Sequence, residues 1–284
     1  MKGIFYGIIA FLLWGALPIF WKQLESLTSP TIISYRILCG IITLVPVLAY
    51  RKRFKVFIKS ICKGEAFKSS ILTGALLATN WIIYLWATLN GKVVEIALGY
   101  YLLPLIYVVL GFFFFHERHG PLKSASVFIA VIGVAFQAYA IGSVPWSALS
   151  VAFSFSLYGL IEKKTKSDAL TSLAQELTVI APVAIIFLLI PSVTRGSVTG
   201  TSEPLVIVFI LLTGLATILP LLFFTAAARR IEFSTLGMLQ FIAPTGQFLI
   251  GWLYYKEPMN QNQIIAFIII WIAVSLYSIS AMKK

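Results

Sequence analysis

Charge and reactive side chains are scarce in this sequence. Only 11% of the 284 residues are charged, and the chain has 10 Asp and Glu, 2 His and 2 Cys. A soluble domain carries about 25% charged residues, so the composition excludes an ordinary soluble protein. Cys39, in an apolar segment, and Cys62, in a basic connection, predict no disulfide. His116 and His119 are three residues apart, not four as a zinc-binding helix requires, so no metalloprotease site and no cofactor are expected.

Long apolar runs are what the sequence does have, since 60% of its residues are hydrophobic. A helix needs about 20 residues, within a range of about 17 to 25, to cross the hydrocarbon of a bilayer. Ten segments reach or approach that length, and the sixth is barely long enough. The sequence therefore predicts an all-α integral membrane protein. The predicted spans are residues 3–22, 30–50, 70–89, 93–115, 121–141, 145–161, 170–190, 204–226, 233–255 and 261–281.

The basic residues predict which ends of the spans face the cytoplasm. The formal net charge is +12, but Lys and Arg lie in short runs between apolar segments, which does not indicate a nucleic-acid partner. Most of them fall in alternate connections, and the positive-inside rule then places both termini in the cytoplasm. The longest basic connection, residues 51–70, alternates basic and apolar residues. It is interpreted as an amphipathic anchor on the inner leaflet of the lipid bilayer.

The second half of the chain repeats the first, because residues 95–117 return as residues 235–257. The matched pairs, each 140 residues apart, are Pro104 with Pro244, Gly111 with Gly251 and Glu117 with Glu257. The halves, residues 1–142 and 143–284, each hold five predicted spans. An odd number of spans makes the second half enter the bilayer from the opposite side. The prediction is therefore ten transmembrane helices arranged as two inverted five-helix repeats.

Inverted repeats are an architecture of secondary transporters, in which two near-equivalent halves exchange inward-open and outward-open arrangements around a central site. The sequence therefore predicts a solute transporter rather than an enzyme. The sequence leaves two alternatives. A membrane-embedded enzyme would need a clustered catalytic set, which no span supplies. A non-transporting membrane scaffold would not need matched prolines and intramembrane charges in both halves.

Arg36 and Glu176 are the ionisable residues that stand out inside the spans, and they occupy equivalent positions of the second and seventh spans. A charge at the bilayer centre costs at least about 2.5 to 3.5 kcal/mol on insertion scales, so each needs a reason. Arg36 is predicted to hold an anionic group of the substrate or an outer gate. Glu176 is predicted to hold an amine, a proton or an inner gate, and is the titratable candidate if transport is proton-coupled. The structural alternative is that each satisfies buried carbonyls or hydroxyls within the bundle.

Aromatic and amide residues accompany these charges within the spans. Aromatic faces with a few amides suit an amphipathic organic solute or a cation better than a bare inorganic ion. For any single aromatic residue, packing toward lipid is the alternative role. The predicted substrate-binding residues are Trp14, Tyr35, Arg36, Asn80, Trp81, Tyr84, Tyr100, Tyr101, Gln175, Glu176, Gln240 and Gln247. The predicted gating or hinge residues are Pro104, Pro244, Glu117 and Glu257, with a packing kink or a loop anchor as the alternative for each.

Several short motifs resemble one family along nearly the whole chain. They are Trp14-Gly15-Ala16-Leu17-Pro18, Tyr35-Arg36, Asn80-Trp81, residues 95–100, Pro104, Tyr158-Gly159, residues 224–228 and residues 234–237. In this order and spacing they resemble the EamA branch of the drug/metabolite transporter superfamily, and within it the RarD-type proteins named for chloramphenicol sensitivity.

The resemblance implies a ten-helix permease of the bacterial inner membrane that moves small metabolites, amino-acid-like solutes or drugs by alternating access, with export as the expected direction. It fixes neither the substrate nor the oligomeric state. Many members of this family have glycine before the glutamate at the tip of the fourth and ninth spans. This chain has His116 and Lys256 there, which places the loop backbone in question and leaves the expected fold unchanged.

Overall fold

The structure, a computed structural model, describes residues 2–61, 64–89, 93–118, 120–141, 146–165, 167–190, 204–254, 256 and 261–282. Within these ranges all of the regular secondary structure is helical. Cys62 and Glu257 lie outside the described residues. Cys39 is buried and carries a free thiol.

Each of the ten predicted spans coincides with a helix, except that the ninth is divided, and a short helix lies in the basic connection. The helices are α1 (Lys2–Lys22), α2 (Ser29–Tyr50), α3 (Phe54–Ser60), α4 (Gly64–Leu89), α5 (Val93–Phe115), α6 (Pro121–Ile141), α7 (Trp146–Lys164), α8 (Ala169–Leu189), α9 (Pro204–Ala228), α10 (Phe233–Leu239), α11 (Ile242–Leu249) and α12 (Gln261–Met282). A π-helical turn, Ile250–Tyr254, continues α11.

Local signals explain where some of these helices begin. Asp168 caps α8, because its carboxylate accepts the Thr171 N–H at 3.1 Å and the Thr171 hydroxyl at 2.6 Å. Pro30 lies in the first turn of α2, where the N–H that proline lacks would have no intrahelical partner. In α3, Phe57 turns into the bundle while the basic residues beside it stay exposed.

Four helices, α1, α2, α8 and α9, are long and apolar enough to cross a membrane by length and composition. Shorter apolar stretches of the described chain are Gly99–Phe115, Pro121–Phe136 and Ile264–Tyr277. Large apolar side chains also cover the outside of the bundle, such as Phe113 at 67% exposure and Leu211 at 63%. A surface of this kind indicates lipid contact rather than water. That all ten predicted spans cross the membrane stays a prediction.

Several contacts between the two halves occur twice, because a contact between two helices has a counterpart between their repeat-equivalent helices. Helix α1 packs on α9 as α4 packs on α7, and α2 packs on α9 as α4 packs on α8. The contact of α1 with α11 likewise corresponds to that of α5 with α7. Helices α6 and α12 pack mainly on each other at the rim of the bundle. The remaining helices therefore surround the centre of the molecule.

Two repeat-related glycines allow close crossings between these helices. A Cβ atom added to Gly74 of α4 would lie 3.1 Å from the Glu176 carbonyl oxygen of α8. A Cβ atom on Gly214 of α9 would collide with the Cys39 carbonyl of α2. Small residues let helix backbones approach in this way, and such packing is a main source of association between helices in lipid.

The matched prolines differ in their effect on the helices. Pro244 has no N–H to offer the Gln240 carbonyl, which accepts instead from the Ala243 N–H at 3.2 Å, and the helix is interrupted between α10 and α11. Around Pro104, α5 runs without interruption from Val93 to Phe115. A Cβ atom on Gly237 would lie 2.9 Å from the Pro104 carbonyl oxygen, so this proline lies in a tight packing contact. The helix is therefore interrupted at Pro244, whereas the kink of α5 at Pro104 stays a prediction.

His116 and Lys256 both adopt the left-handed backbone conformation, each with φ of 53°. They occupy the repeat-related positions where many relatives of the family that the sequence resembles have glycine. An L-residue pays about 1 to 2 kcal/mol for this conformation, whereas glycine does not. The backbone of both loops thus keeps a glycine-like conformation without glycine.

His116→Gly should therefore stabilise the protein by about 1 kcal/mol, since the exposed imidazole loses no packing contact. The measurement is the apparent melting temperature of the purified protein in detergent. Arg118→Gly is the matched control, because Arg118 is exposed in the same loop and is not among the residues with positive φ. Equal melting temperatures for the two variants would contradict the interpretation.

Candidate functional site

A cavity lies among α1, α2, α4, α5, α7, α9 and α11, and it encloses about 820 Å³ of empty space including its opening to solvent. Its lining is mostly apolar and aromatic with a few polar groups, as is common in sites that bind small organic molecules. Eight of the twelve predicted binding residues line it: Trp14, Arg36, Asn80, Trp81, Tyr84, Tyr100, Gln240 and Gln247. Pro244 lines it as well.

The remaining four predicted residues lie elsewhere. Tyr35 packs with the apolar cluster around Leu24 and Ile210. Tyr101 packs beside Phe241, with ring centroids 6.2 Å apart. Gln175 and Glu176 are buried nearer the start of α8, away from the cavity lining. Helical periodicity in a bundle this apolar does not reveal which face turns inward, and this explains the four displaced residues.

Trp21 and Phe155 also line the cavity although the sequence analysis did not single them out. A signal for Trp21 was present, since Phe11, Trp14, Pro18 and Trp21 are spaced three and four residues apart and share one face of α1. Phe155 had no comparable signal, because α7 carries apolar residues on all sides.

Arg36 projects from α2 into this cavity and lies between two indole rings. The guanidinium carbon is 4.0 Å from the Trp81 ring centroid and 5.3 Å from that of Trp21. Its Nε donates a hydrogen bond of 2.8 Å to Thr217 Oγ1 of α9. Cation–π contacts contribute about 0.5 to 2 kcal/mol each and orient the guanidinium without neutralising it. Among the described residues, no carboxylate forms an ion pair with Arg36.

The cavity amides join helices of the two halves. Asn80 of α4 donates to the Val151 carbonyl at 3.0 Å and to Ser154 Oγ at 3.1 Å, both on α7. Gln247 Nε2 donates to the Trp14 carbonyl at 3.3 Å. Gln240 lies at the break between α10 and α11, and its buried Oε1 has no hydrogen-bond partner. This oxygen is available to accept a hydrogen bond from a ligand.

Aromatic side chains close the cavity on one side, and we call Trp14, Phe155, Tyr158 and Phe224 the aromatic layer. Trp14 is 5.6 Å from Phe155 and 5.5 Å from Phe224, measured between ring centroids. Phe224 also stacks on Tyr158 at 6.0 Å, with 18° between the ring planes. Phe224 and Tyr158 are fully buried. The layer is thus a continuous apolar barrier.

Beyond the aromatic layer lies a buried polar cluster, which we define as Tyr158, Glu162, Ser172, Glu176 and Arg229. Arg229 pairs with Glu162, with 2.6 Å between its Nη2 and Glu162 Oε2, and Ser172 Oγ donates to Glu162 Oε1 at 2.7 Å. The Tyr158 hydroxyl donates to Glu176 Oε2 at 3.4 Å. Glu162 and Glu176 are 1% and 0% exposed. Glu176 therefore belongs to this cluster and not to the cavity that contains Arg36.

Comparison with known proteins identifies the family of this chain. The EamA-like transporter family matches residues 1–139 and again residues 143–279. The chain belongs to the EamA-like transporter family. A relative named as the uncharacterized transporter YojE of Bacillus subtilis is 35% identical, covering 99% of this chain and 95% of that protein. Protein RarD of Escherichia coli is 30% identical with the same coverage, and a crystal structure of a protein that is 17% identical has a TM-score of 0.78 over 98% of both chains. This EamA-family protein is therefore a multi-pass membrane transporter.

The loop between α5 and α6 of this EamA-family protein holds the start of α10. The Glu117 carboxylate accepts the backbone N–H groups of Phe233 at 2.5 Å and Ser234 at 3.0 Å, and the Ser234 hydroxyl at 2.7 Å. Lys123 pairs with Glu232 at 2.9 Å beside it. Free N–H groups at a helix start favour a carboxylate, so Glu117 caps α10 across the two halves. Its role as a gate stays a prediction, and the counterpart Glu257 lies outside the described residues.

Glu117→Ala removes all three acceptor contacts and should destabilise the protein by about 1 kcal/mol, the usual cost of losing a helix cap. Glu117→Gln keeps one acceptor oxygen, so its stability should lie between that of Glu117→Ala and that of the original protein. Apparent melting temperatures in detergent measure both. The exposed neighbour Arg118 provides the control, since Arg118→Ala removes a charge from the same loop without touching α10. A loss as large for Arg118→Ala would refute the capping role.

Proposed function

We propose that this EamA-family protein is a secondary transporter of small organic solutes that combine an anionic group with a flat apolar body. It works by alternating access in the bacterial inner membrane. The proposed substrate class rests on one observation. The Arg36 guanidinium lies in an aromatic cavity, and no carboxylate among the described residues pairs with it.

The two-fold pattern of the chain supports alternating access. The family matches each half separately, and the helix pairings exchange when the halves are exchanged. These facts favour the division into residues 1–142 and 143–284, with ten crossings and both termini in the cytoplasm. Two halves of inverted orientation can then open the central cavity to one side or the other. The cavity has walls from both halves, as such a mechanism requires.

The contacts between halves favour an outward-facing state. Arg36 lies about two turns from the start of α2, which the basic-residue distribution predicts to face outside. The aromatic layer, the Glu117 cap and the Lys123–Glu232 pair all lie toward the predicted cytoplasmic side. Import and export both pass through an outward-facing state, so this state does not indicate the direction of transport. Only the family resemblance supports export.

The charge of the cavity favours an anionic group on the solute. A guanidinium in a low-dielectric site binds a carboxylate, phosphate or sulfonate strongly, with two parallel hydrogen bonds when geometry allows. Asp and Glu do not occur among the described residues that line the cavity, so none of these residues compensates the positive charge that a bound amine would meet. Indole and phenol rings offer flat faces to the rest of the solute. Glu176 lies in the buried polar cluster, which argues against the expectation that it holds a substrate amine.

Three probes with the same phenyl body and different head groups test this proposal: phenylethanesulfonate, phenylalanine and phenylethylamine. Each is added at equal concentration to the purified protein during thermal unfolding. A ligand that binds only the folded state at 100 times its Kd adds about 2.7 kcal/mol. The sulfonate should raise the melting temperature, the zwitterion less, and the amine not at all. Arg36→Gln should abolish the shift, and Arg36→Lys should keep part of it because it keeps charge but loses the planar stack.

Arg51→Gln is the matched control, since it removes an exposed basic residue outside the cavity and should keep the full shift. Uptake of radiolabelled phenylethanesulfonate into sealed proteoliposomes then tests transport, because a permanent anion crosses lipid poorly without a carrier. A shift with the amine as large as with the sulfonate, or a sulfonate shift that survives in Arg36→Gln, would reject the proposed substrate class.

A further inference from the structure

The buried polar cluster contains more acid than base. It holds two carboxyl groups, from Glu162 and Glu176, and one guanidinium, from Arg229. Arg229 forms an ion pair with Glu162, which also accepts a hydrogen bond from the Ser172 hydroxyl. Glu176 Oε2 accepts a 3.4 Å hydrogen bond from the Tyr158 hydroxyl, and the buried Oε1 has no hydrogen-bond partner.

The groups that face Glu176 offer it few donors and no cation of its own. Helix α7 presents Tyr158 and Glu162, and the segment after α9 presents Arg229. Helix α4 presents Thr73, whose hydroxyl faces Glu176 but also donates to the Ser69 carbonyl at 3.1 Å. An ionised carboxylate without solvent, a cation or donors is strongly disfavoured, and it becomes neutral by binding a proton. Two carboxyl groups that share one site ionise as a coupled pair.

We propose that Glu162 and Glu176 form a proton-binding site, with one proton carried by Glu176 on Oε1. A proton there turns the oxygen that lacks a partner into a donor for the neighbouring Glu162 carboxylate, which lies within hydrogen-bonding reach. The cluster then holds one negative charge and one positive charge. The ligand of this site is the proton itself, and Arg36 and the solute cavity lie on the other side of the aromatic layer.

The role of this proton in transport rests on the proposed function. Tyr158 belongs to both the aromatic layer and the polar cluster, and it connects Glu176 to Phe224 and Phe155. When Glu176 releases its proton to the cytoplasm, the cluster gains a second negative charge. The vacant donor in the same cluster is Arg229 Nε, which also has no hydrogen-bond partner. Proton release therefore favours a rearrangement of the side chains in the polar cluster below the aromatic layer. Binding of a proton restores their original arrangement.

Infrared spectroscopy of the full-length protein in detergent tests the site without any solute. At neutral pH the spectrum should contain the carbonyl stretching band of a protonated carboxylic acid, and this band should be lost in Glu176→Gln. Glu25→Gln, which removes an exposed glutamate, should leave it unchanged. Glu162→Gln removes the competing charge and leaves Arg229 to Glu176, so the band should weaken. A neutral-pH spectrum without the band, or a band that survives in Glu176→Gln, would overturn the proposal.

Transfer into D₂O tests the exchange of this proton. The band should shift in D₂O if the site communicates with the cytoplasm, and a band that never shifts would overturn the role in transport. Because no solute is added, these results do not depend on the identity of the substrate. Failure of the sulfonate experiment with an intact, exchanging band would reject the proposed substrate class and leave the proton site standing.

Discussion

The low dielectric of the bundle is the constraint on which the rest of this structure depends. Few charges enter it, and each one that does determines the arrangement around it. Glu162 and Arg229 neutralise each other at 2.6 Å, whereas Arg36 is held by indole rings and one threonine hydroxyl. Breaking a buried pair such as Glu162–Arg229 leaves an uncompensated charge and costs about 3 to 5 kcal/mol. The Glu162 and Arg229 charges thus compensate each other, whereas Arg36 has no paired carboxylate among the described residues.

The two halves carry related sequences but different chemistry. Arg36 and Glu176 occupy equivalent positions of α2 and α8, yet one reaches the solute cavity and the other a dry cluster beyond the aromatic layer. Pro244 interrupts its helix while Pro104 does not. The predicted inversion of the second half accounts for the first difference, because equivalent positions then lie at opposite depths. A duplicated chain can in this way separate the proposed solute site from the proposed proton site.

Much of the fold could be predicted from this sequence, and less of the site. Apolar runs and turn residues give helix positions well, because the length and composition of a run are local properties. The inward face of a helix is not local in an apolar bundle, and so Tyr35 and Tyr101 were expected in the cavity but pack elsewhere. Phe155 was missed because nothing in α7 marks its inner face. The family pattern put the loop backbone at His116 and Lys256 in question, and both residues adopt the left-handed conformation.

Helices α6 and α12 stand apart from this chemistry. They pack on each other through Val134, Ile270 and Ala273, and neither contributes a residue to the cavity lining among the described residues. Substitutions at the contact between these two helices change no described residue of the cavity lining. During evolution, substitutions in α6 and α12 can therefore change the lipid contacts and thermal stability of the protein. Substitutions in the other helices can change its substrate range separately.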